Sequence, residues 1–170
     1  MVPPPDEKAH RARALAYPAT TTSGFDVVNA NVQRARQHAR STGVDGRARF
    51  ERLDAAGGLP DQYDLVTCFG VVHDAHDPLG LLRAVRAAVR PGGLCLIQEI
   101  TSGERLADNR GPAATVLYGF SVLHCMTQSL AAGGPALGTC GLPESRLREL
   151  CLDAGFSSLR SAVSGPLDTL

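Results

Sequence analysis

Three carboxylates fall just past stretches that read as strands: Asp26 after Ser23-Gly24-Phe25, Asp54 after Arg49–Leu53, and Asp74 after the apolar run Leu65–Val72. Ligands of open parallel sheets collect at the carboxyl ends of the strands. An acidic side chain after the second strand of a nucleotide-binding half can accept two hydrogen bonds from ribose hydroxyls. One after the third strand can accept from an adenine amino group. Each aspartate taken singly reads as a turn or N-cap residue. Taken together at these spacings, they favour a nucleoside.

A denser group comes directly after the apolar run. His73-Asp74-Ala75-His76-Asp77 places two imidazoles and two carboxylates in five residues. As a metal cluster it is poor, because residues that close along a loop rarely converge on one ion without distant ligands. No metal is expected. As the His-Asp pair of a metal phosphohydrolase it needs an all-helical pattern with further histidines on other helices, and the strand before it argues against that. As a plain turn, Asp77 caps the next helix and His73 has no chemical role.

Positioning these residues requires strands that alternate with helices, and the chain from Gly24 onward supplies them. Val28, Val32, Ala35 and Ala39 recur at helical spacing, and Gly43 stops that helix. Ala48–Leu53 reads as a short strand, and Leu65–Val72 as one buried on both faces. Asp77-Pro78 opens a helix as N-cap and first residue, with Leu81, Leu82, Val85, Ala88 and Val89 on its apolar face. Pro91-Gly92-Gly93 ends that helix and turns into a strand over Leu94–Ile100. Gly111–Ala132 predicts a helix with Val116, Phe120, Leu123 and Leu130 on one face. Tyr118, Ser121, Cys125 and Gln128 lie on a small polar face, with His124 at its margin. Leu147, Leu150, Cys151 and Ala154 form a last stripe, closed by Gly155, before a strand over Phe156–Val163. Strands separated by helices mean an α/β fold, a mostly parallel sheet with helices on both faces.

The chain's 170 residues suffice for one domain. Residues 1–22 read as an irregular arm and 23–170 as the folded part. Its 17 basic residues balance 17 acidic ones, so no net field draws nucleic acid or anionic lipid. No apolar run reaches the ~18 residues of a membrane span, and the first residues hold no apolar leader. The 5 cysteines are odd in number, widely spaced and without a C-x-x-C. They read as free thiols in a reducing, cytoplasmic setting.

The residues also keep a known order. Gly24-Phe25-Asp26, Ala35-Arg36, Phe50 with Asp54-Ala55, Tyr63-Asp64-Leu65-Val66, Val71-Val72-His73-Asp74, Asp77-Pro78, Leu82-Arg83 and Arg90-Pro91-Gly92-Gly93 resemble a class I S-adenosylmethionine-dependent methyltransferase. A second stretch, from Leu106-Ala107-Asp108-Asn109 through Tyr118, Ser121 and His124-Cys125-Met126 to Leu137-Gly138-Thr139, is similar to a branch that often carries an N-terminal winged-helix domain. The resemblance implies a Rossmann-like sheet and S-adenosylmethionine as cofactor, held through Asp26, Asp54, Ala55, Cys68 and Phe69. It implies in-line methyl transfer to a small-molecule acceptor. His73 and Asp74 would orient or deprotonate that acceptor. Residues 104–141 would form an inserted lid, with Asn109, Tyr118, His124 and Cys125 on the substrate side.

The same resemblance sets expectations for the two ends. A Gly-rich loop after the family's first strand should lie roughly 15–25 residues before Asp26, yet residues 1–23 contain no glycine. The chain is therefore expected to lack that central strand and the final strand, as if truncated at both ends. Leu65–Val72 would then carry a bare edge, open to self-association. The alternative, of a different class, is a catalytically inactive fragment that acts as a binding or interaction module.

Overall fold

The computed structural model describes residues 16–100, 102–161 and 168–169. Most of the expected arm, residues 1–15, and the end of the expected last strand, residues 162–163, lie outside the described residues. The chain divides into two compact units, Met1–Ala55 and Ala56–Leu170.

The first unit is a strand–helix–strand piece: β1 (Thr22–Asp26), α1 (Asn29–Ser41) and β2 (Ala48–Arg52). The strands run parallel, with Thr22 opposite Ala48 and Asp26 opposite Arg52. Strand β1 thus begins at the last residue of the expected arm. Val32, Ala35 and Ala39, spaced by three and four, are the buried face of α1. Ala39 meets Val44 and Ala48 in a small core on which Phe50 packs. Gly43, at φ +69°, ends the helix in the left-handed conformation that a Cβ would disfavour.

The second unit carries β3 (Tyr63–Phe69), α2 (Pro78–Ala88) and β4 (Val89–Ile100). Next come α3 (Pro112–Phe120), a π-helical turn (Ser121–Cys125) and α4 (Met126–Ala131) in one continuous run, then α5 (Glu144–Asp153) and the two-residue β5 (Asp168–Thr169). The Asp77 carboxylate accepts from the Gly80 N–H at 2.9 Å, and Pro78 comes next in the chain, so the helix starts where expected. Leu81, Leu82, Val85 and Ala88 of α2 are buried, as are Leu147, Leu150 and Cys151 of α5, which packs against α2. Strands β3 and β4 are parallel, and β5 pairs antiparallel with the end of β4, Glu99 opposite Thr169.

Three expectations change. The stretch Leu65–Val72 is not a strand buried on both faces: β3 stops at Phe69, Cys68 is its one fully buried residue, and Leu65 is 40% exposed. The reason is pairing. Among the described residues β3 bonds to β4 alone, and β1–β2 form a separate sheet. Second, Pro91-Gly92-Gly93 does not separate helix from strand but lies inside β4, where the register jumps from Tyr63–Val89 to Leu65–Leu94. Proline is tolerated at such a bulge. Gly92 takes φ +80°, and a Cβ on Gly93 would stand 2.9 Å from the Asp64 carbonyl. A bidentate ion pair from Arg90 Nη1 to Asp64, at 2.8 and 2.9 Å, pins the excursion. Third, Phe156–Ser161 is irregular, and the described strand at this end is Asp168–Thr169.

The exposure pattern makes a direct forecast. Leu82 is fully buried and Leu94 is 69% exposed. Leu82→Ala should cost about 2–5 kcal/mol, and Leu94→Ala within about 0.5 kcal/mol, by urea denaturation. A large loss at Leu94 would show that its strand face is covered in solution.

Candidate active site

A buried polar cluster lies where β3 and β4 end side by side. The ladder continues one step past β3, because the Gly70 N–H donates to the Gln98 carbonyl at 2.8 Å. Gly70 then turns at φ +63°. Val72 and His73 come next, at 0% and 5% exposure. Beneath them lies Glu99 of β4, at 3%.

Both carboxylate oxygens of Glu99 are used. Oε1 accepts from the Val72 N–H at 2.8 Å, and Oε2 lies 2.5 Å from His73 Nδ1. One side chain therefore fixes the backbone of one residue and the ring of the next. A buried carboxylate bonded on both oxygens is tolerated where an unpaired one is not. The bond commits Nδ1, so Nε2 is the nitrogen left for chemistry. It stands 3.1 Å from Asp74 Oδ1.

The π turn completes the cluster. An extra residue in the turn rotates the helical segment beyond it, and such turns gather at functional sites. Here the turn buries Ser121 and Cys125 and leaves Val122, Leu123 and His124 exposed. His73, Asp74 and Cys125 each bring a ligand-competent atom within 4.8 Å of the others. Burial, and then the hydrogen bond and charge of Asp74, push the Cys125 thiol up to about 12. It is protonated at neutral pH and is no nucleophile.

A return loop grips the same segment. Ser129 Oγ donates to the Ala75 carbonyl at 3.1 Å and accepts from the Ala136 N–H at 3.2 Å. The Gly138 N–H donates to the His73 carbonyl at 3.3 Å, and Thr139 Oγ1 to the Leu117 carbonyl at 2.7 Å. A Cβ on Gly134 would come within 2.5 Å of His76 Cα, so the approach requires glycine. Ala136 holds φ +52° without being glycine.

The other expected site residues have local duties. Asp26 Oδ1 accepts from the Val28 N–H at 2.7 Å and Oδ2 from Asn31 at 2.8 Å, which anchors the start of α1. Asp54 is exposed just past β2, Ala55 opens a 3-10 turn, Cys68 is buried in β3, and Phe69 closes that strand half-buried. Asn109 Oδ1 accepts from the Gly103 N–H at 2.7 Å and closes its own loop. Tyr118 donates to the Leu106 carbonyl at 2.7 Å. His124 is exposed, 2.8 Å from the Gln128 amide nitrogen. Only Cys125 of the four lid residues joins His73 and Asp74. The apolar face of the helix expected to form a lid turns outward, with Phe120 61% and Leu123 82% exposed, while the small residues Ala114, Ser121, Cys125 and Ser129 pack inward. Glu99 is the site residue that sequence reasoning missed. Its one signal is a lone acid in the mostly apolar strand Leu94–Ile100.

A family described as a methyltransferase domain matches residues 7–127, which takes in β1 through the π turn. The chain belongs to that family. Its fold is that of class I, S-adenosylmethionine-dependent methyltransferases. The ubiquinone biosynthesis O-methyltransferase of Aeromonas salmonicida is 32% identical over 109 residues, which cover 62% of this chain and 42% of that protein. This methyltransferase chain thus spans less than half the length of such curated relatives. Among solved structures, PigF with S-adenosylhomocysteine superposes at a TM-score of 0.69 and 24% identity, over 94% of this chain and 45% of that one. The O-methyltransferase NcsB1 from neocarzinostatin biosynthesis, with S-adenosyl-L-homocysteine and 1,4-dihydroxy-2-naphthoic acid, does so at 0.67 and 19%, over 94% and 43%.

The His73 imidazole of this methyltransferase-family chain lies under opposed influences. Burial is the largest and lowers the His73 pKa. The Glu99 hydrogen bond, with the charges of Glu99 and Asp74, outweighs it and holds the group above 6.5. Folding thus favours imidazolium. The stability this contributes is fully present below the unfolded value and is lost as pH rises through the folded one. NMR titration of the His73 ring should give a midpoint above 6.5, and Glu99→Gln should lower it. An unmoved midpoint would separate Glu99 from the histidine.

Proposed function

We propose that this chain supplies the cofactor and acceptor residues of an S-adenosylmethionine-dependent O-methyltransferase acting on a small hydroxylated molecule, with His73 as general base. The observation that carries it is the buried His73–Glu99 pair at 2.5 Å, with Nε2 beside Asp74. A phenol gives up its proton only near pH 10. A base poised closer to neutrality can take that proton as the new bond forms, which contributes roughly 10²–10⁴-fold. Glu99 stabilises the imidazolium that results. Asp74 is the acceptor-side partner of Nε2. The O-methyltransferases among the relatives, one bound to a dihydroxynaphthoic acid, support a phenolic acceptor.

The cofactor residues fit a nucleoside. Each Asp26 oxygen already accepts one bond, but a carboxylate has about four lone-pair sites, so two remain for a ribose diol. Asp54, exposed at the end of the neighbouring parallel strand, has the acceptor chemistry for an adenine amino group. Ala55, Cys68 and Phe69 are the further cofactor residues of this reading. When bound, S-adenosylmethionine supplies a methyl group already activated on sulfonium. The chain's own residues then have to align the acceptor and hold its proton.

Residues 104–141 form the substrate-side element in this proposal, since their helix and return loop hold the segment that carries His73. Asn109, Tyr118 and His124 would act there by shaping the element. The edge of β3 that has no strand partner among the described residues supports self-association, and free thiols at all 5 cysteines support a reducing, cytoplasmic setting. No helix among the described residues is long and apolar enough to cross a membrane.

The test is release of S-adenosylhomocysteine with a phenolic acceptor, alongside calorimetry with the cofactor. His73→Gln should cut turnover by about 10²-fold or more and leave cofactor affinity unchanged. Asp54→Ala should weaken cofactor binding by about 1–3 kcal/mol. Turnover should climb as pH passes the raised His73 pKa, since only the neutral ring can accept a proton. Cofactor binding without turnover on any acceptor would favour the inactive-module reading instead.

A further inference from the structure

Neighbouring residues on one loop make a poor metal site, and His73 with Asp74 alone would be one. The fold adds the distant donor that the loop lacks. Cys125 Sγ, brought in by the π turn, lies within 4.8 Å of an imidazole nitrogen and a carboxylate oxygen. His73 Nε2 and Asp74 Oδ1 are 3.1 Å apart. Two such ligands on a tetrahedral zinc ion at ~2.0–2.2 Å sit about 3.3–3.5 Å apart, so this pair is near that spacing already. Asp74 Oδ1 is buried, and the groups on this carboxylate are the other two members of the cluster, the His73 ring at 3.1 Å and the Cys125 thiol. Glu99 on Nδ1 completes the carboxylate–histidine pattern that fixes the tautomer and raises the basicity of a metal-bound ring.

We propose that His73, Asp74 and Cys125 form a three-donor site for a borderline divalent cation, zinc in particular, and that its occupancy silences His73. The donor set of one nitrogen, one oxygen and one sulfur suits zinc and is wrong for magnesium or calcium, which take oxygen. The neutral ring binds through the Nε2 lone pair and keeps its proton on Nδ1, shared with Glu99. The thiol S–H breaks, its proton goes to solvent, and the thiolate electron pair forms the sulfur–zinc bond. Thiolate and carboxylate then match the double charge of the ion. A fourth position stays open to solvent. The binding site stands on geometry alone. Only its inhibitory consequence rests on the proposed role of His73 as base.

Cobalt(II), which takes tetrahedral zinc sites and reports its ligands by absorption, is the probe. The whole chain should bind a single equivalent, with a thiolate-to-cobalt charge-transfer band in the near ultraviolet that zinc abolishes. Cys125→Ser should lose that band, while Cys95→Ser keeps it. Glu99→Gln should weaken cobalt affinity about 10–100-fold. Asp74→Asn, whose side chain is a third exposed, should weaken it too, and tests the site if the buried serine variant does not fold. Survival of the charge-transfer band in Cys125→Ser would overturn the site. So would unchanged affinity in Asp74→Asn, or no thiolate band at all. Zinc inhibition of turnover is read separately: cobalt binding without it would sink the base role and leave the site standing.

Discussion

A buried carboxylate has to find two partners, and the second unit is arranged around that need. Glu99 is 3% exposed near the end of a mostly apolar strand, and it is the one acid there. Leaving either oxygen unpaired there would cost several kcal/mol, far more than a typical surface ion pair returns. One oxygen takes the Val72 amide and the other the His73 ring. This sets the path of the chain after β3. The Gly70 turn, the burial of Val72 and the ring orientation of His73 are all consequences of where the Glu99 oxygens sit.

The element that covers this pair obeys a second constraint, which is thickness. The buried residues of the helix are small, Ala114, Ser121, Cys125 and Ser129, and the return loop brings Gly134 against His76 and Gly138 against Ser121. A Cβ on Gly138 would overlap Ser121 Oγ. Close approach lets backbone and hydroxyl groups bond directly, so the loop is held by Ser129 and Gly138 rather than by a layer of large side chains. The helix's large apolar residues have no room on that side and face outward.

Local signals were enough for most elements. Asp77-Pro78, Gly43 and the three-four spacing of Val32, Ala35 and Ala39 each carry a short-range physical cause, and each appears where read. The α/β class follows from them. Non-local facts were not legible. Whether Leu65 is covered depends on a partner strand, which no property of Leu65 encodes. The bulge at Pro91-Gly92-Gly93 depends on Asp64 and Arg90 meeting across two strands. The inward side of the helical run Pro112–Ala131 could not be chosen from its two faces, because hydrophobicity selects the large residues and packing against glycine selects the small ones. For the site, His73, Asp74 and Cys125 were legible by residue type, and the carboxylate that organises them was hidden in a strand.

Ala136 shows what this kind of packing asks of the backbone. At φ +52° it occupies a conformation that costs an alanine about 1–2 kcal/mol and a glycine almost nothing. Its N–H is tied to Ser129 Oγ, so the strain is held in place by the same hydroxyl that holds Ala75. A glycine there would relieve the strain but widen the range of loop shapes in the unfolded chain. The return loop therefore accepts local strain in exchange for a narrower ensemble. His73, whose backbone carbonyl the Gly138 N–H of that loop grips, gains most from this, because a side-chain ring is only as well aimed as the backbone behind it.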